Sequence, residues 1–370
     1  MKLLTLNTHS LIEPDYEAKR EVFVNFIAKE QPDVFALQEV NQTAAAPEWK
    51  DVPAGYVPCP GNAVPLKADN HAAAVARMLE QRGVHYDWSW LPAKIGYDKY
   101  DEGMAVFSRA PITAAENLLL SKSDNYQYWK TRRALGVCAG EVWYYAVHMG
   151  WWKDEEEPFA AQWETLSQAA GAKQTAFLLG DFNSEADMRG EGYDLILRSG
   201  WQDTYRLAQQ RDDGYTVVQA IDGWRDAPDA AAKKRIDQIW CSKKLTVKSS
   251  RVVFNGLRIA GLGGSRLYSG GKDQYSEREM KNRIWKLGWK IRRAGGVDIV
   301  VAHAPVRGVG DGDDYAHMGF EAFLPLLDSY KPRYLIHGHV HTEYGRDIVR
   351  VHRYGDTTII NACERYTLEV

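Results

Sequence analysis

The stretch TAFLLGDFNS (175–184) decides how the rest of the chain is read. Its apolar run is too short for a core helix and reads as a buried strand, Thr175–Gly180. The run then breaks at a glycine into Asp181 and Asn183, polar residues at the strand's C-terminal end. In α/β sheets that edge is where ligand crevices form. Outward from this point the same layout recurs. KLLTLN (2–7) closes on Asn7, DVFALQEV (33–40) runs to Glu39, and VWYYAVH (142–148) reaches His148. RIDQIW (235–240), another strand, carries Asp237.

Between these strands lie helical patterns, the alternation of an α/β protein. A helix is expected over 16–30 with Val22, Phe23, Phe26 and Ile27 on one face, ended by Pro32, and another over 68–82. Strand-like runs follow at 85–91, 104–108, 132–138 and 141–147, then a helix near 158–170. LTVKSSRVVF (245–254) reads as one more strand. From Gly256 the pattern restarts with LRIAGLGG, the basic helix SEREMKNRIWKLGWKIRR (276–293), the strand VDIVVAHAP, the helix MGFEAFLPLLDSY (318–330) and RYLIHGHVH (333–341). The basic helix carries seven Lys and Arg, but Met280, Ile284, Leu287 and Ile291 follow helical spacing, so it reads as amphipathic with a solvated face.

The chain has 370 residues, 45% hydrophobic and 26% charged, which excludes disorder, collagen and a simple coiled coil. It holds no apolar run long enough for a spanning helix, so no membrane partner is expected, and the N-terminus turns polar too soon for a signal peptide. Cys59, Cys138, Cys241 and Cys363 have no framework spacing, which suits reduced thiols and a cytoplasmic location. Net charge is −3, with 17 basic and 14 acidic residues over 256–370, leaving −6 for residues 1–255. That balance counts against a nucleic-acid partner. Thirteen Trp and 20 Tyr supply core, and also flat faces of the kind that line sugar and base pockets.

Singly, each strand-end residue has an ordinary structural role. Asn7 can cap a segment, Asp181 and Asn183 can form an Asx-turn, Glu39 can be solvated and His148 can be packed. At one sheet edge they make a chemical set. A carboxylate holds a hard cation such as Mg²⁺ together with its waters and a substrate phosphate. Amides donate to phosphate oxygens, and a histidine can protonate a leaving oxygen.

LNTHS, LQEV, AVHMGWW, LLGDFNS and RIDQIW resemble, in order, the motifs of the endonuclease/exonuclease/phosphatase superfamily, over residues 1–255. The resemblance implies a deoxyribonuclease-I-like four-layer α/β/β/α sandwich that hydrolyses phosphoesters with Mg²⁺ or Mn²⁺. By it, Glu39 is the metal ligand and Asn7 an amide of the metal or phosphate site. His148 is the acid or phosphate-binding histidine, and Asp181 with Asn183 orients water and holds phosphate. Asp237 orients a final histidine base. That histidine belongs to a terminal Ser-Asp-His that this sequence lacks; at the expected point stands LRIAGLGGSR. WSWLPAKIGYDKYDEGMAVFSR, YWKTRRALGV and HMGWWKDEEEPFAAQWETL are most similar to the bacterial sugar-phosphate phosphatases of that superfamily, those for maltose 6'-phosphate included. A small phosphorylated substrate, a sugar phosphate, is therefore expected. The alternatives are a phosphodiesterase or nuclease, or a non-catalytic recombined protein.

Residues 256–370 present a second set. His303 ends one strand and His337, His339 and His341 surround another, with Gly338 giving the backbone room to bend. Imidazoles one residue apart can face adjacent metals such as Mn, Fe or Zn. GLGGSR, AHAP, GHVH and IINAC resemble the C-terminal half of calcineurin-like metallophosphoesterases, a partial α/β sandwich. That resemblance gives one metal to His303 and His339 and the other to His341, while the half that supplies a bridging aspartate has no counterpart. Two further expectations follow: the strand near 257–262 takes the place of the first domain's missing last strand, and a C-terminal histidine stands beside Asp237. Open sheet edges in an incomplete half are also where two chains of a homo-oligomer can pair.

Overall fold

The computed structural model describes residues 1–217, 233–253, 259–293, 296–312, 314–340, 349–363 and 366. Contacts group the chain into two compact units, Met1–Val253 and Phe254–Val370.

The first unit contains β1 (Leu3–Asn7), α1 (Tyr16–Glu30), β2 (Val34–Thr43), α2 (His71–Glu80), β3 (Asp87–Gly96), β4 (Tyr100–Ser108) and β5 (Ile112–Leu119). It continues through β6 (Arg133–Ala139), β7 (Val142–His148), α3 (Phe159–Gly171), β8 (Ala176–Asp181), α4 (Gly192–Arg198) and β9 (Gln202–Asp203). The short α5 (Thr204–Leu207) and β10 (Ala208–Arg211) precede β11 (Asp237–Cys241) and β12 (Val247–Ser250). The strands form a four-stranded sheet, β1-β2-β4-β3, and a six-stranded sheet, β5-β6-β7-β8-β11-β9. Three apolar clusters make four layers. Val34, Ala36, Met104 and Val106 of one sheet meet Leu135, Val137, Ala146 and Leu179 of the other. Phe23, Val24, Ile27 and the α2 alanines cover the first sheet, and Phe159, Trp163, Leu166 and Ile196 cover the second. The α/β/β/α sandwich expected from the sequence is the fold.

Local sequence explains the elements. Asn70 caps α2, its Oδ1 accepting from Ala73 N at 3.0 Å. Helix α1 differs from the expectation at one position: Val22 is 52% exposed, and Val24 is buried beside Phe23 and Ile27. Spacing of i, i+1, i+4 centres the face on those three residues, with Phe26 half-buried at its margin. The 245–254 run forms a strand only over Val247–Ser250, paired in parallel with β10. Residues such as Trp88, Trp90 and Trp240 are fully buried, so much of the aromatic inventory is core.

The second unit holds β13 (Ile259–Leu262), β14 (Ser265–Arg266), β15 (Gln274–Tyr275), α6 (Glu277–Arg293), β16 (Ile299–Ala302), α7 (Phe323–Tyr330), β17 (Tyr334–His337), β18 (Val351–Tyr354) and β19 (Thr357–Asn361). Its main sheet runs β13-β16-β17-β19-β18 and is parallel except for β18. Met280 and Ile284 of α6 and Phe323, Leu326 and Leu327 of α7 pack on Ala260, Val300 and Leu335. Strand β13 pairs with β16 as the edge of this sheet. The expectation that 257–262 completes the first sheet is therefore corrected: its apolar residues Ala260 and Leu262 are used in the second unit's own core.

Candidate active site

Strand register brings the first set of residues together. His148 pairs with Asp181 across parallel β7 and β8, and Asp237 pairs with Asp181 across antiparallel β8 and β11. The three lie in one row over adjacent strands, and residues in register share a face. Asn7 ends β1 in the other sheet, and its amide spans the two: Nδ2 donates to Glu39 Oε1 at 2.8 Å and to Asp181 Oδ2 at 3.3 Å.

Glu39 is re-aimed by its backbone. The β2–β4 register shifts between Leu37 and Val40, and Glu39 has φ of +52°. A bulge of this kind turns a side chain out of the strand's alternation. Asn183 also has positive φ, a conformation asparagine tolerates. Its backbone N–H donates to Asp181 Oδ1 at 2.8 Å and its Nδ2 to Met149 O at 3.0 Å. His148 Nε2 stands 4.0 Å from Asp181 Oδ2.

Burial and like charge govern the electrostatics. Glu39 is raised above the usual carboxylate range by burial and then by Glu102. Burial also raises Asp181. Asp237 is pushed up to about 7 by burial and by Asp181. Its backbone N–H donates to Thr216 Oγ1 at 3.2 Å, while its buried Oδ1 has no hydrogen-bond partner among the described residues. Burial, with Arg132 and Lys94, holds His148 well below the usual imidazole range, so it is neutral.

Three contributors fall outside the sequence-derived set. Arg132 is only 5% exposed, its Nε is buried without a partner, and its guanidinium has no ion pair among the described residues. A buried unpaired charge is expensive, and anion binding relieves it. Lys94, beside a second bulge, ion-pairs with Glu102 at 3.2 Å. His9 Nε2 lies 3.9 Å from Glu39 Oε2, and its Nδ1 bonds Glu13 at 2.9 Å. His9 was legible in LNTHS as a second polar residue just past the strand end.

This donor set fits a hard divalent cation. Glu39 and Asp237 are half-buried and Asp181 is buried, all three are pushed toward protonation, and one of their oxygens has no partner among the described residues. Among the described residues, no group of three or more His, Cys, Asp and Glu side chains forms a metal cage on its own. Mg²⁺ is ordinarily held by one or two carboxylates and water, and so needs no such cage.

In the second unit the rings of His303 and His339 lie 4.7 Å apart, and His317, a loop residue absent from the sequence-derived set, lies 5.3 Å from His339. His339 has φ of +67°, and its Nε2 is 2.7 Å from Ala316 O. His337 is buried at the end of β17, and His341 lies outside the described residues. Among the described residues of the neighbouring turn, Asp311 and Asp314 have other partners. Asp311 binds Arg307 Nη1 at 2.9 Å and Gly319 N at 3.0 Å, and Asp314 binds His317. The described residues here thus supply imidazoles without a bridging carboxylate, and no catalytic step is derived from them. Among the described residues no helix is long and apolar enough to cross a membrane.

Comparison with known proteins follows the same division. The model of the "Endonuclease/Exonuclease/phosphatase family" matches residues 4–259, and that of "Calcineurin-like phosphoesterase" matches residues 226–343. Members of both families are typically divalent-metal-dependent phosphoesterases. An endonuclease/exonuclease/phosphatase family protein from Leptotrichia buccalis C-1013-b is 31% identical, with a TM-score of 0.59 over 69% of this chain and 92% of that one. A mannosyl-6-phosphatase from Bacteroides thetaiotaomicron VPI-5482 is 17% identical, with a TM-score of 0.43 over 67% and 88%. A 3' phosphatase from Neisseria, bound to product DNA hairpin, is 19% identical, with a TM-score of 0.40 over 65% and 86%. No curated protein matches the chain.

Proposed function

The chain belongs to the endonuclease/exonuclease/phosphatase family, and from that premise we propose that it is a Mg²⁺- or Mn²⁺-dependent phosphomonoesterase acting on a sugar phosphate. The observation that carries this reading is Arg132: a buried, unpaired guanidinium whose charge acts on His148 and Asp181. A dianionic phosphate is its natural counter-ion.

Glu39 would hold the cation, with Asn7 fixing its carboxylate. The bound ion would polarise the phosphoryl group and offset charge in the transition state. Asn7 also binds Asp181 Oδ2, and Asn183 N binds Oδ1, so both oxygens are oriented before a water meets them. Asp181 would position that water, and Asn183 would help hold the phosphate. Neutral His148 would donate an N–H to a phosphoryl or leaving oxygen. Asp237, whose Oδ1 is buried without a donor among the described residues, would accept a proton where the family's terminal histidine is missing.

The test is phosphate release from hexose 6-phosphates with Mg²⁺ or Mn²⁺. Release that stops on chelation and returns with metal supports the reading. Nicking of supercoiled plasmid without phosphate release would assign phosphodiester cleavage instead. Neither activity in the folded protein would favour a non-catalytic role.

A further inference from the structure

Beside Arg132 lies a feature that phosphate hydrolysis itself does not use. Trp129 is 51% exposed, yet its loop is firmly held. Lys94 Nζ donates to Trp129 O at 2.8 Å, and Glu157 accepts from the backbone of Lys122 and Ser123 at 2.7 and 2.9 Å. The Trp129 ring meets Trp151 at 5.5 Å with a 55° tilt, and the Arg132 guanidinium lies 5.9 Å from the Trp151 ring. Trp151 Nε1 is buried without a partner among the described residues. Lys130, 5.3 Å from the Trp129 ring, is fixed by Asp154 at 2.8 Å and Glu156 at 2.6 Å.

We infer that Trp129 and Trp151 form the saccharide subsite of this centre, stacking the pyranose ring of a hexose phosphate whose phosphate group meets Arg132. The inference rests on the phosphomonoesterase reading above and names what its substrate carries. The Trp129 carbonyl is held and its ring rests against Trp151, so part of the freedom that binding would otherwise cost is already lost. A tilted pair makes a corner with one open face, which suits a ring with an apolar C–H face and hydroxyls at its rim. A nucleobase would be better served by parallel stacking. Glu156, exposed beside the platform, can accept from sugar hydroxyls, and the acidic run 154–157 repels a polynucleotide.

The experiment compares kcat/KM for glucose 6-phosphate and glycerol 3-phosphate in wild type, Trp129→Ala and Trp129→Phe. The preference for the sugar phosphate falls about tenfold in Trp129→Ala, through KM, and stays near wild type in Trp129→Phe. An unchanged preference in Trp129→Ala overturns the subsite while leaving the phosphatase reading intact. A preference for adenosine 3'-monophosphate that depends on Trp129 also overturns it, in favour of a nucleobase. Saturation-transfer NMR of maltose with metal-free protein is the readout independent of turnover. A signal in wild type that Trp129→Ala loses supports the subsite even if no phosphatase activity is found. Absence of signal in wild type rejects it.

Discussion

In the first unit the candidate side chains stand within or at the ends of paired strands, whereas in the second most stand on loops, those that follow β16 and β17 among them. His148, Asp181 and Asp237 share a row set by β7–β8–β11 register, and Asn7 ties that row to Glu39 in the facing sheet. His303, His317 and His339 meet ring to ring, while nearby Asp311 and Asp314 are bound to Arg307, Gly319 and His317. Among the described residues, the first arrangement leaves a buried guanidinium nitrogen and a buried carboxylate oxygen unmatched, and in the second Asp311 and Asp314 are matched within their own turn and its flanks. Unmatched buried charge is a stability cost that folding tolerates where a ligand will supply the partner. The difference teaches that residue inventory alone does not mark a candidate centre: buried polar groups left without a partner do.

The largest expected effect tests that contrast directly. Asp181→Asn should lower kcat for phosphate release by about 10³-fold, because one buried charge that positions water is lost. His339→Ala should change it by less than about twofold. Initial-rate phosphate assays on both variants check this, and an equal loss in the two would break the comparison. Arg132→Ala should lower kcat/KM by about 10²-fold, and Arg132→Lys should recover only part of it, since an ammonium lacks the planar fork. If Lys restores full activity, Arg132 is a general charge and not a phosphate clamp.

Arg132 also carries a stability signature. Arg132→Met keeps apolar volume against Trp151 and removes the unpaired charge. Its thermal midpoint should rise by about 2–4 °C, the shift of roughly 1 kcal/mol in a unit of this size. A fall of similar size would mean that the guanidinium is matched in the folded protein, and would erase the distinction drawn above.

Much of the site was legible because its strands run straight into polar residues. Asn7, His148 and Asp181 are strand ends in the sequence and in the structure. Register then did what no sequence pattern states, aligning His148 and Asp237 with the same residue. Arg132 was hidden by its neighbour. In TRRALGV two arginines stand together, and only the structure shows that Arg132 goes inward while Arg133 reaches Asn117 Oδ1 at 2.9 Å. Lys94 was hidden inside an apolar strand, where a bulge between Pro92 and Lys94 breaks the alternation that would predict its face. His317 sits on a loop, and no periodicity marks a loop residue for a cluster. At the seam, LRIAGLGG read equally well as the last strand of one sheet or the first of another, and core packing in the second unit decided it.

A last effect is the pH dependence that His71 gives the first unit. His71 is fully buried at the start of α2, with Nδ1 2.9 Å from Tyr16 OH and Nε2 without a partner. Burial and the nearby Arg20 charge lower its pKa to about 3. The unfolded chain takes up a proton near pH 6.5. Between those values it binds a proton that the folded unit does not, so stability is full above about pH 6.5 and falls as pH drops toward 3. From pH 7.5 to 5.5 the loss amounts to about 1.4 kcal/mol, or about 3–6 °C in the thermal midpoint. His71→Asn should remove that part of the slope whatever it does to stability at pH 7.5. Melting curves of both proteins at the two pH values measure the difference. An identical pH shift in wild type and variant would show that His71 is protonated within the fold, and that the first unit's acid sensitivity arises from its carboxylates instead.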